Sequence, residues 1–122
     1  MDDPLLSEIA QTIFNKKGFS ILVLDMRPIS SLTDYVIIAE GNINKHVQAI
    51  GEALIEFMKK RGQQISYVEG MREGDWVVLD FSEIVVHLFQ PGWRDQYNLE
   101  ALWKDAQIVD VRIDTEAAAS IK

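Results

Sequence analysis

Trp76-Val-Val-Leu-Asp80-Phe-Ser-Glu-Ile-Val-Val-His87-Leu-Phe89 reads as two strands folded into a hairpin about Ser82-Glu83. Both halves are rich in β-branched and aromatic residues and meet at a polar break. A two-residue loop puts Phe81 opposite Ile84, Leu79 opposite Val86 and Val77 opposite Leu88. Because side chains alternate along a strand, one face is wholly apolar: Val77, Leu79, Phe81, Ile84, Val86 and Leu88. The other carries Trp76, Val78, Asp80, Val85, His87 and Phe89, where apolar bulk sits beside groups that need polar partners. The hairpin therefore has a core face and a working face. The turn lacks the Asn-Gly or Asp-Gly of a tight hairpin. A three-residue loop would slip the register and destroy the partition, which argues against it.

On the C-terminal side, Pro91-Gly92 breaks the strand. The spacing of Leu99, Leu102, Trp103 and Ala106 predicts a helix over 94–106 with those four buried. Residues 108–114 alternate weakly and suit a short edge strand. Residues 115–122 have no apolar face and are expected to form a mobile tail beyond a single domain over 1–114. On the N-terminal side, 70–75 is a loop and 65–69 a third strand. Before it, Val47, Ile50, Leu54, Phe57 and Met58 share one face of a helix from Asn44, its cap, to about Arg61. Ser20 to Leu24 and Tyr35 to Ala39 are short apolar runs, so these strands are covered on both faces. Asp3 caps the first helix and Pro4 starts it; Leu5, Leu6, Ile9, Ala10, Ile13 and Phe14 line its buried side, and Gly18 stops it. This order implies an α/β fold: one mixed sheet of about five strands flanked by helices.

The chain has 122 residues, 48% hydrophobic and 25% charged, with a net charge of −7. That suits one globular domain with a sizeable core. No apolar run approaches the ~20 residues that span a bilayer. Met1-Asp-Asp-Pro4 is acidic, unlike a signal or transit peptide, and with no cysteine in the chain a cytoplasmic location is expected. The acidic balance argues against a broad grip on nucleic-acid phosphates. It either serves solubility or suits a basic protein partner.

Enzymatic chemistry has few parts to work with. Of the two histidines, His46 opens a helix and is expected to be exposed, while His87 lies on the mixed face with Asp80 diagonally across. An Asp80–His87 pair could orient a base, but Ser82 in the turn offers no useful nucleophile. Metal-dependent nucleotidyl transfer wants carboxylates alternating along one strand, and no predicted core strand has them. Gly41-Asn-Ile-Asn44 lacks the lysine and glycines of a phosphate loop. A nucleotide-binding or phosphate-ester enzyme using Asp80, His87 and Asp34 is thus the second reading. A binding face is the first. Trp76, with Glu69, Glu73, Asp75 and Asp80 around it, is either an interface anchor or packed under the last helix against Trp93 or Trp103.

Several stretches, in order over 4–106, together resemble the Iojap family, whose bacterial members are the ribosomal silencing factors (RsfS). They are Asp25, Ser31-Leu-Thr-Asp34-Tyr35-Val-Ile-Ile-Ala, Gly41, His46-Val-Gln-Ala-Ile, Val68-Glu69-Gly70, Asp75-Trp76-Val-Val-Leu-Asp80, Val85-Val86-His87-Leu-Phe and Arg94-Asp-Gln-Tyr97-Asn-Leu-Glu-Ala-Leu-Trp103. The chain departs at Glu40, where a small or apolar residue is usual, and at Ser82-Glu83, where Gly-Asp is common. The resemblance implies a nucleotidyltransferase-like fold without the catalytic carboxylates, and a non-enzymatic role with no catalytic, metal or cofactor residues. It implies binding to the large ribosomal subunit through ribosomal protein uL fourteen, blocking association with the small subunit when nutrients are short, and a homodimer when free. It carries the partner-contact role to Trp76 first, then to Asp34, Glu69, Gly70, Asp80, His87, Arg94 and Tyr97.

Overall fold

A computed structural model describes residues 4–115. The expected Asp3 cap and residues 116–122 of the expected tail lie outside the described residues. The elements in chain order are α1 (Pro4–Asn15), β1 (Phe19–Asp25), β2 (Tyr35–Glu40), α2 (Asn44–Lys60), β3 (Tyr67–Glu69), β4 (Trp76–Asp80), β5 (Ile84–Phe89), α3 (Pro91–Tyr97), α4 (Leu99–Leu102) and β6 (Gln107–Ile108). Among the described residues the strands form one mixed sheet in the order β3-β4-β5-β2-β1-β6, six strands rather than about five. β2 and β5 run parallel; the other neighbours are antiparallel.

The hairpin adopts the register its alternation demands: Leu79 pairs with Val86 and Val77 with Leu88. Its apolar face joins the main core, where Leu6, Ile9 and Ile13 of α1 and Val47, Ile50, Leu54 and Met58 of α2 pack on one side of the sheet. At about 1.5–3 kcal/mol for each fully buried aliphatic side chain, this layer supplies most of the hydrophobic stabilisation. The opposite side is smaller. Leu24, Met26, Val36, Ile38 and Phe89 are covered there by Trp93, Leu99, Trp103 and Ala106 from the C-terminal segment. With helices on both sides, β2 is buried along Tyr35–Ala39. This is why its sequence is a continuous apolar run.

Four local expectations need correction. The helix expected over 94–106 starts earlier, with Pro91 in its first turn, and is broken at Asn98, whose φ of 48° is left-handed. An asparagine tolerates that conformation because its short polar side chain adds little steric cost. The break turns Leu102 outward, to 72% exposure, instead of into the core. At the end of α1 the left-handed residue is Lys17, with φ 69°, not Gly18. Gly18 is required for closeness: a Cβ there would collide with the Ile13 side chain. At α2, Asn44 is already helical and extended Ile43 precedes it, so Asn44 is not the cap. The edge strand expected over 108–114 is limited to β6, which pairs with the end of β1.

Candidate functional site

Trp76 begins β4, next to the outer strand β3, with its side chain on the mixed face. Directly opposite lies Phe89, its ring stacked at 5.2 Å between centroids; diagonally across lies His87. Tyr97 of α3 closes the group, its ring centroid 4.5 Å from that of Trp76 and stacked in turn on Trp93 at 5.6 Å. Trp76 thus packs on Tyr97 of the C-terminal segment rather than on Trp93 or Trp103. It is only half-buried, and Tyr97 is 45% exposed. Both aromatic faces in question are therefore partly open while held by neighbours.

The chain before β4 shapes the ground beside the indole. Gly70 has φ 85°, and a Cβ on it would collide with the Trp76 carbonyl oxygen. Both facts demand glycine: the left-handed region is open to it, and only a bare Cα lets the loop backbone lie against the strand. A depression of about 470 Å³, lined by Glu69, Gly70, Glu73, Trp76 and Val78, results. Glu69 and Glu73 are exposed, and Glu69 accepts a hydrogen bond from the Tyr67 hydroxyl at 3.0 Å. A negative rim around a partly open indole suits contact with a cationic protein surface.

The remaining residues do not join this ground. Asp75 is half-buried, and its Oδ1 accepts from the Gln90 side chain at 2.9 Å. Asp80 sits at the turn end of the hairpin, where its Oδ1 accepts from the Ser82 amide at 2.7 Å. Asp34 lies at the same end, its amide donating to the Glu83 carbonyl. Four residues along β2, Ile38 rather than Asp34 stands beside His87, so Asp34 is roughly 13 Å up the strand from the imidazole. The Asp80–His87 pair expected on the hairpin is not formed. His87 Nδ1 instead accepts from the Trp76 indole N–H at 3.1 Å. Burial pushes the His87 pKa down to about 4, so the ring is neutral near pH 7. Asp80, His87 and Asp34 are therefore not assembled as an acid–base group. His46 is half-buried rather than exposed, Nδ1 accepting from the Asn42 amide and Nε2 bonded to the Lys16 carbonyl oxygen.

Arg94 also belongs elsewhere. It is 9% exposed and works inside the fold. Its guanidinium donates to the Ser20 carbonyl at 2.5 Å, to Glu40 at 2.9 Å and to both Glu100 oxygens at 3.3 and 2.9 Å. This fork ties α3 and α4 to β1 and β2, and so holds Tyr97 over Trp76. Glu40, where the resemblance leads one to expect a small or apolar residue, is the carboxylate that the buried guanidinium uses.

The family model described as "Ribosomal silencing factor during starvation" matches residues 2–122. The chain is 39% identical over 107 residues to the ribosomal silencing factor RsfS of Bacillus subtilis, spanning 88% of this chain and 91% of that protein. It is 36% identical over 107 residues to RsfS of Halalkalibacterium halodurans, spanning 88% and 92%. A crystal structure from Bacillus halodurans superposes with a TM-score of 0.80 at 34% identity, covering 90% of this chain and all of that one. The six-stranded α/β sheet is thus the fold of a solved relative, and the chain belongs to the ribosomal silencing factor family, whose members are non-enzymatic ribosome-binding factors.

Proposed function

We propose that this protein binds the large ribosomal subunit through ribosomal protein uL fourteen and sterically prevents association with the small subunit, lowering translation when nutrients are limiting. The observation that carries this reading is the half-open Trp76, held by Tyr97 and flanked by the exposed carboxylates of Glu69 and Glu73. A rigid aromatic beside negative charge is what a neutralising contact with a basic ribosomal protein requires. Glu69, Gly70, Trp76 and Tyr97 form the contact surface; His87 and Arg94 support it from behind. Asp34 and Asp80, at the far end of the sheet, are outside it. A domain of this length is roughly 25–30 Å across, enough to occupy part of a joining surface. The protein acts in the cytoplasm and is a homodimer when free.

Co-sedimentation with separated ribosomal subunits tests the proposal. Wild-type protein is expected to pellet with the large subunit alone, less so as salt rises. Trp76→Ala, folded by circular dichroism, is expected to bind at least about 2 kcal/mol more weakly, as for an interface anchor. Equal pelleting of that variant would remove Trp76 as the anchor, and no pelleting of wild type would remove the function.

A further inference from the structure

We infer that His87 is a positioning residue: its Nδ1 locks the Trp76 indole in the orientation presented to the partner. The inference rests on the large-subunit reading above. Trp76 and His87 are diagonal neighbours on one face of the hairpin, and the indole N–H donates to Nδ1 at 3.1 Å. That bond requires the lone pair on Nδ1, so the neutral ring carries its proton on Nε2.

The imidazole is itself immobilised. It is 9% exposed and lies against three rings: Trp76 at 6.0 Å between centroids, Phe89 at 6.3 Å and nearly parallel at 12°, and Trp103 at 5.6 Å. An acceptor clamped in this way has one direction to offer, and the indole must meet it. Trp76 begins its strand beside a three-residue edge strand and is half-buried; Phe89 and Tyr97 pack against its rings but give the indole N–H no partner. The bond to His87 supplies the missing restraint and lowers the ordering cost at the moment of binding. It also occupies the only donor of the indole. The partner therefore meets the rings of Trp76 and Tyr97 and not the indole N–H.

The test compares substitutions that move or remove the acceptor, read by large-subunit binding and by the Trp76 indole N–H resonance in a nitrogen-15 spectrum. His87→Asn keeps an oxygen near the Nδ1 position; His87→Gln places its amide near Nε2; His87→Leu has no acceptor. His87→Leu and His87→Gln are expected to bind about tenfold more weakly, and His87→Asn within about threefold of wild type. In a Trp76→Phe background, which has no N–H to hold, His87→Leu is expected to add less than about threefold. His87→Asn as weak as His87→Leu, or His87→Leu binding like wild type, overturns the proposal. Should His87→Leu fail to fold, His87→Gln takes its place. If wild-type protein does not bind the large subunit, the functional reading fails, and the spectrum still decides the lock. An indole N–H that exchanges slowly in wild type and His87→Asn but fast in His87→Leu or His87→Gln upholds it; equal exchange in all overturns it.

Discussion

Glu40 and Arg94, the last residue of β2 and the fourth of α3, form an ion pair at 2.9 Å with side chains only 14% and 10% exposed. A carboxylate stands here because a buried guanidinium needs more than the Ser20 carbonyl and the partly exposed Glu100 to offset its lost hydration. Glu40→Ala is expected to cost about 2–3 kcal/mol in urea denaturation, since Arg94 keeps only part of its partners. The double variant Glu40→Ala/Arg94→Met is expected to cost less than the sum of the single variants by at least about 1 kcal/mol. Strict additivity would show that the pair is not coupled.

His87 makes stability fall on the acid side. Its pKa is about 4 in the folded chain, pushed down by burial, against 6.5 for an ordinary histidine. The unfolded chain therefore takes up this proton first, so the neutral ring contributes fully above about pH 6.5. That contribution is lost as pH falls towards 4, up to about 3 kcal/mol. Subtracting the pH dependence of His87→Asn from that of wild type isolates this loss from carboxylate titration. A difference flat between pH 6.5 and 4 would contradict it.

Gly70→Ala is expected to destabilise the fold by about 2 kcal/mol or more. The residue has φ 85°, and its Cβ would meet the Trp76 carbonyl. Because the strain falls on the backbone of Trp76, the proposed large-subunit binding should weaken in protein that remains folded. Wild-type values of the melting temperature and of binding would refute the close approach.

Ser82 holds φ 78° in the hairpin turn, a conformation that costs a residue with a Cβ. Ser82→Gly is expected to raise the unfolding free energy by about 0.5–1 kcal/mol, net of the Ser66–Ser82 hydroxyl bond. Unfolding midpoints in urea report it directly. A loss would show that the hydroxyl bond outweighs the strain.

The candidate site is legible in parts. Trp76, Glu69, Gly70 and Tyr97 were all marked by the family motifs, and the structure brings them together. Trp93, which backs Tyr97, presents itself in the sequence only as a packing surface for Trp76. Asp34 and Asp80 belong to equally recognisable stretches but lie at the other end of the sheet. A motif records which residues accompany one another in sequence, not which end of a strand they occupy. The helix break at Asn98 was signalled by the residue type, yet apolar spacing continued across it and pointed to one helix.

The hairpin, its register and its buried face followed from the sequence by itself, because alternation and a two-residue turn are local and one slip would turn every apolar side chain to the other side. The parallel seating of β5 against β2, the Glu40–Arg94 pair and the partner of His87 were decided only in three dimensions. His87 has two diagonal neighbours in that register, Trp76 and Asp80. Pairing geometry treats them alike. The choice between them falls to the twist of the sheet, to the Ser82 amide that engages Asp80, and to the rings that orient the imidazole.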